Sequence, residues 1–259
     1  MTRLMTYFAI TLAAAAAWSI TVGAHELVGH GGGCLIVEGC TGRYADAMYF
    51  DFAYDGDELG RAIILIAGPL ASFVLGLVGL VLRLGLKRPR PGLDWLAWAL
   101  IPAGWISGGA YVAFGQFIHP GMDTAQLARM GGDNASVIIT IIGSASILLG
   151  VIASALLMPV KIPKWSRPLV VLAAVLGYAL SALGAAYFVP GEREFLMMGA
   201  FGASVLFTTA LWIAALPWPT LRPRQTSGRP GILESLVLLA LTGGYVFILG
   251  PGISFGAGG

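Results

Sequence analysis

The chain has 259 residues, of which 57% are hydrophobic and only 11% charged, with a net charge of +2 and a mean hydropathy of +0.83. This composition excludes a soluble domain of useful size and belongs to a polytopic membrane protein. The small positive excess excludes nucleic acid as a partner, and the basic residues read instead as topology signals.

Apolar runs of spanning length fall near residues 4–30, 62–82, 95–118, 135–160, 168–189, 195–216 and 235–250. They predict an all-α polytopic membrane protein with about seven transmembrane helices, and internal Gly and Pro do not oppose this. The first run follows Arg3 and is rich in alanine, which imitates a signal peptide. Because His25-Glu26-Leu27-Val28-Gly29-His30 follows it directly, it reads as a retained helix.

Between Leu4 and Ala24 the only ionisable side chain is that of Tyr7. Two imidazoles and a carboxylate at the end of such a run are expensive in a membrane and point to function, here to a metal. The familiar zinc pattern is H-E-x-x-H, and this chain carries one residue more. In a regular helix His25 and His30 point about 140° apart, so an undistorted helix does not chelate through both. A π-bulge absorbs an extra residue, and Gly29 lies where such a distortion is easiest. Glu26 and His30, four apart, suit an undistorted helix as an alternative ligand pair, or simply hydrogen-bond one another.

After the first run, Tyr49-Phe50-Asp51-Phe52-Ala53-Tyr54-Asp55 alternates aromatic and acidic positions ahead of Gly56. The alternation predicts a short hairpin or edge strand, with an interfacial aromatic belt as the other reading. Asp55, Asp57 and Glu58 read as solvated. Cys34 and Cys40 are the only cysteines. An oxidising compartment permits a disulfide between them, while free thiols or extra metal ligands stay open.

The third run ends in Gln116-Phe117-Ile118-His119-Pro120-Gly121-Met122-Asp123-Thr124, whose His119 and Asp123 are the next metal-ligand candidates. Eleven of the fifteen basic residues fall in alternate connections: Arg3; Arg83, Lys87, Arg88 and Arg90; Lys161, Lys164 and Arg167; Arg222, Arg224 and Arg229. The positive-inside rule then places the N-terminus in the cytoplasm, with HELVGH and His119–Asp123 toward the outer face. Residues 219–231, rich in Pro, Arg and Gly, predict a flexible inner loop, and the Gly-rich tail after Gly250 is expected to wander at the interface. No internal repeat speaks for an inverted-repeat transporter.

HELVGH resembles the HELLGH motif of the dipeptidyl peptidase III family, which binds zinc through both histidines despite the extra residue. Ala67-Gly68-Pro69-Leu70-Ala71-Ser72 resembles the A-G-P-L-A-N signature of the site-2 protease family of intramembrane zinc metalloproteases, and Pro120-Gly121-Met122-Asp123-Thr124 resembles its L-D-G segment. The order of the motifs also agrees. The departures are the extra residue, Ser72 for Asn and Thr124 for Gly, and no PDZ domain has room. The family's zinc helix usually lies toward the cytosol, opposite to the charge count here.

The resemblance implies a metalloprotease-like core over residues 1–135, with additional helices over 136–259. It implies zinc held by His25, His30 and Asp123, Glu26 as general base, and His119 stabilising an oxyanion or orienting Asp123. His25, His30 and His119 form an alternative ligand set. By the same resemblance, the loop after the first helix guides an extended substrate by strand addition. The expected function is hydrolysis of a peptide bond in or near a membrane-embedded segment, by an integral protein of a bacterial inner membrane. Its partners are then a membrane-protein or peptide substrate and the lipid bilayer. The alternative from another class is a non-catalytic subunit or scaffold of a larger membrane complex that keeps its metal site.

Overall fold

The computed structural model describes residues 2–47, 49–85, 90–158, 167–188 and 231–255. Six helices among them are long and apolar enough to cross a membrane: Leu4–Ile36, Glu58–Gly85, Pro91–Ile118, Asp123–Leu156, Arg167–Phe188 and Ile232–Leu249. The chain is an all-α polytopic membrane protein with one small sheet. The span expected at 195–216, nearly all of the inner loop at 219–231 and the last four residues lie outside the described residues. So do seven of the eleven basic residues counted above: Lys87, Arg88, Lys161, Lys164, Arg222, Arg224 and Arg229.

The first span consists of α1 (Thr2–Gly23), a π-helical segment (Ala24–His30) and α2 (Gly31–Ile36). The second is α3 (Glu58–Gly85). The third joins α4 (Pro91–Pro102) to α5 (Gly108–Ile118) through a second π-helical stretch at Ala103–Ser107. Then follow α6 (Asp123–Leu156), α7 (Arg167–Phe188) and α8 (Ile232–Gly244), the last continuing as a π-helix over Tyr245–Leu249.

Small side chains set the interior. The alanine run of α1, with Ala13, Ala14, Ala16 and Ala17 fully buried, lets α4 and α7 pack closely along it. Trp98, Leu100, Val170 and Val171 belong to the same buried cluster. Several interior polar groups find partners within the bundle. Ser19 shares a 2.8 Å hydrogen bond with Ser181, Trp98 Nε1 donates to the Ser154 carbonyl at 3.0 Å, and the Tyr178 hydroxyl donates to the Ala99 carbonyl at 2.8 Å. The large apolar side chains face outward instead, among them Leu70, Val74, Leu77 and Val81 on α3 and Val137, Ile141 and Leu148 on α6. Such a surface is stable against lipid and not against water.

Two expectations at helix ends change. The apolar run expected from residue 135 is preceded by helix, because α6 begins at Asp123. Its first turns carry Asp123, Gln126, Arg129 and Asp133, too polar for a hydropathy window to include. Gly132, at φ 67° and ψ −163°, breaks α6 between these polar turns and the apolar body. Arg83, counted above as a topology marker, is buried. Its Nη1 pairs with Asp94 Oδ1 at 3.1 Å, and its Nε donates to the Leu157 carbonyl at 2.8 Å. A charge withdrawn from water needs such a partner, and removing either member costs about 3–5 kcal/mol.

The expected hairpin is present, as β1 (Thr41–Ala45) antiparallel to β2 (Phe50–Ala53), with an irregularity between Gly42 and Tyr44. Cys34 and Cys40 form a disulfide at its base. Asp57, expected to be solvated only, caps α3: its Oδ1 accepts the Gly60 amide at 2.8 Å and the Tyr54 hydroxyl at 3.0 Å. The Gly60 amide, followed by the Tyr54 hydroxyl, holds the Asp57 carboxyl below the usual carboxylate range. The described part of the tail does not wander. Ile253–Ser254 forms β3 on the other edge of β1, the Phe255 amide donates to the Arg43 carbonyl at 2.8 Å, and the Tyr44 hydroxyl donates to the Pro251 carbonyl at 3.0 Å.

Candidate metal centre

The segment Ala24–His30 is π-helical throughout. Hydrogen bonds in a π-helix close five residues apart, so residues five apart share a face. His25 and His30 therefore meet, with ring centroids 5.0 Å apart and rings nearly perpendicular at 76°. Gly29 lets this segment press against α3. A Cβ there would lie 2.5 Å from Gly68 Cα and 2.7 Å from the Ala67 carbonyl oxygen. Gly68 in turn keeps space beside the imidazoles, because a Cβ on it would collide with His30 Nε2 and lie 2.8 Å from His25 Nε2.

Asp123, the first residue of α6, completes the group. Its Oδ2 lies 3.1 Å from His30 Nε2 and 3.6 Å from His25 Nε2. Among the described residues, the ligand atoms of His25, His30 and Asp123 all fall within 4.8 Å of one another, and the three can hold a metal ion. Ligands about 2.1 Å from a tetrahedral metal stand about 3.4 Å apart, and the separations of Asp123 Oδ2 from the two imidazoles bracket that value. Both imidazoles are buried.

The other ring nitrogens are already engaged. His30 Nδ1 donates to the Ile64 carbonyl at 2.8 Å, and His25 Nδ1 shares a 3.1 Å hydrogen bond with the Ser72 hydroxyl. A carbonyl oxygen only accepts, so His30 carries its proton on Nδ1 and presents Nε2 to the carboxylate. A lone pair facing a carboxylate oxygen at 3.1 Å needs a cation between them, either a second ring proton or a metal. The donor set of two imidazoles and one carboxylate, each imidazole braced from behind, fits a metal.

Glu26 is buried on the same segment, within electrostatic reach of His25, His30, Asp123 and Asp46. It does not belong to the convergent ligand group, so the Glu26–His30 ligand pair is not what the fold assembles. His119 stays outside the group as well. It follows α5 in extended conformation, and its Nδ1 accepts the Gly121 amide at 3.0 Å within the turn. It lines a separate cleft with Arg129, Asp133 and Ser136, whose walls include none of the three ligands.

Several neighbours of the site carried no signal in the sequence. Tyr111 on α5 donates its hydroxyl to Asp123 Oδ2 at 2.7 Å and sets its ring edge-on to His25 at 5.2 Å. Phe50 of β2 stacks on His30 at 6.3 Å. Asp46, in the turn between β1 and β2, is buried. Tyr111 lies inside an apolar run and Asp46 in an acidic loop, where neither residue type stands out. Ser72 was legible through the motif Ala67–Ser72, although its role there was not. The chain matches no family model, no curated protein and no solved structure with which it was compared.

Proposed function

We propose that this protein is an integral membrane zinc metalloprotease of the site-2 protease type, hydrolysing a peptide bond in or near a membrane-embedded segment. The observation that carries the reading is the π-helical segment Ala24–His30, which turns both imidazoles toward Asp123 at the buried end of a membrane span. Nature seldom places three such groups in an apolar bundle without a function. His25 Nε2, His30 Nε2 and Asp123 Oδ2 would hold the zinc. Bound there, zinc supplies a Lewis acid for a carbonyl oxygen and a water of lowered pKa.

The remaining work falls to the chain. Glu26 takes the proton of the attacking water as the water's oxygen joins the peptide carbonyl carbon, and delivers it to the leaving amine when the C–N bond breaks. Ser72 and the Ile64 carbonyl keep the two rings in the tautomers and orientations that present Nε2. The buried setting excludes bulk water, which strengthens these interactions. His119 lies outside the convergent ligand group and takes no role in this account.

Location follows the same reading. The site, the disulfide and the sheet stand at one end of the bundle, and disulfides persist in oxidising compartments. Together with the basic residues of the opposite connections, this supports an outward-facing site in a bacterial inner membrane with a cytoplasmic N-terminus.

The test is zinc-dependent, chelator-sensitive cleavage of a helical membrane substrate by the reconstituted full chain. Glu26→Gln is expected to lower the rate by about 10²–10⁴-fold with zinc content and fold unchanged. Stoichiometric zinc with no cleavage of any helical peptide overturns the protease reading in favour of a non-catalytic subunit. Cleavage of lipid esters instead assigns the same site to a lipid hydrolase.

A further inference from the structure

The Asp123 carboxylate is held by more than the imidazoles. Three contacts converge on one of its oxygens: His30 Nε2 at 3.1 Å, His25 Nε2 at 3.6 Å and the Tyr111 hydroxyl at 2.7 Å. A carboxylate oxygen has two lone pairs. If one is directed at the cation between the imidazoles, the hydroxyl occupies the other and stops the carboxylate from rotating. The ring of Tyr111 is fixed as well, edge-on to His25 at 5.2 Å on a helix packed against α6.

From this we infer that Tyr111 is the positioning residue of the metal centre. Its hydroxyl holds Asp123 to a single coordinating oxygen and thereby keeps a coordination position open. A carboxylate free to rotate can present both oxygens, and a second one would fill the position that a catalytic site leaves for water or substrate. The inference rests on the metal reading above and does not depend on proteolysis.

Tyr111→Phe removes the hydroxyl and keeps the ring, so packing against His25 survives. A control with the same chemical change is Tyr178→Phe, which loses a buried hydroxyl bonded to the Ala99 carbonyl and touches no metal ligand. Zinc affinity is measured on the purified full chain in detergent by competition with a chromophoric chelator. Cobalt(II) replaces zinc for visible absorption, where a four-coordinate ion absorbs strongly and a five-coordinate ion weakly.

Tyr111→Phe is expected to weaken zinc binding by about 10–100-fold, the usual effect of losing a partner behind a ligand. It is also expected to diminish the cobalt bands, while Tyr178→Phe changes neither. An affinity within about twofold of wild type with an unchanged cobalt spectrum overturns the inference. Equal losses in both variants overturn it too, by showing a general packing effect. If the wild type takes up neither ion, the inference falls together with the metal reading. If the wild type binds metal and cleaves nothing, affinity and spectrum still decide it.

Discussion

Gly68 shows how much a single missing side chain does at this site. Its Cα lies against Gly29 of the π-helical segment, and the position its Cβ would take runs into His30 Nε2 and comes within 2.8 Å of His25 Nε2. Gly68→Ala therefore fills the space beside both metal-facing nitrogens, and backbone on the opposite side leaves no room to give way. The expected outcome is loss of stoichiometric zinc from a protein that still inserts and folds, read by metal analysis beside circular dichroism. Retained zinc would show that the imidazoles have another way to converge. The Gly-Pro pair of Ala67–Ser72 was legible in the sequence as a motif. That its glycine borders the histidines was not, because closeness between residues some forty positions apart is a property of packing.

At the scale of the element, the extra residue of HELVGH is absorbed by a change of helix type. A π-helical turn takes up one inserted residue and leaves the helices on either side in the register they would have without it. Val28, 68% exposed, is the position in this segment whose removal disturbs the interior least. Deleting Val28 converts the segment to an ordinary H-E-x-x-H, with both histidines on one face of a regular helix. The variant is expected to bind zinc with about the stoichiometry of the wild type, while losing the π-helical hydrogen bonds. Loss of zinc would mean that the site needs the wider turn itself and not only its register. The wider turn was foreseeable from spacing, since residues five apart do not share a face in an α-helix. The start of α6 at Asp123 was not, because its first turns are polar and are separated from the apolar body by Gly132.

Across the whole molecule, charge and redox chemistry divide the two ends of the bundle. The group of His25, His30 and Asp123, the disulfide and the three-stranded sheet share one end. The Arg83–Asp94 pair lies near the ends of α3 and α4 that the proposed orientation puts in the cytoplasm. Cys34 and Cys40 are therefore expected to react with a membrane-impermeant maleimide in intact cells after mild reduction, and not before it. Reaction only after lysis would reverse the orientation and place the site on the cytosolic side. The described part of the tail joins the same end as the sheet: β3 completes the sheet on β1, and Phe255 lies 6.0 Å from Phe50, which itself stacks on His30. Composition foretold none of this, because a glycine-rich tail docks through its backbone and backbone hydrogen bonds carry no residue-specific signature.

Membrane class, six of the seven expected helical spans and the two histidines of the first span were determined by the sequence alone. Hydropathy and ligand spacing are local properties that survive without any knowledge of packing. Tertiary structure alone decided that Asp123 and not His119 joins those histidines, that Tyr111 and Ser72 brace the ligands, and that Arg83 is an interior ion pair. Each of these depends on which face of one helix meets which face of another. A carboxylate, a hydroxyl or a guanidinium acquires its role only from the partner that such a meeting supplies.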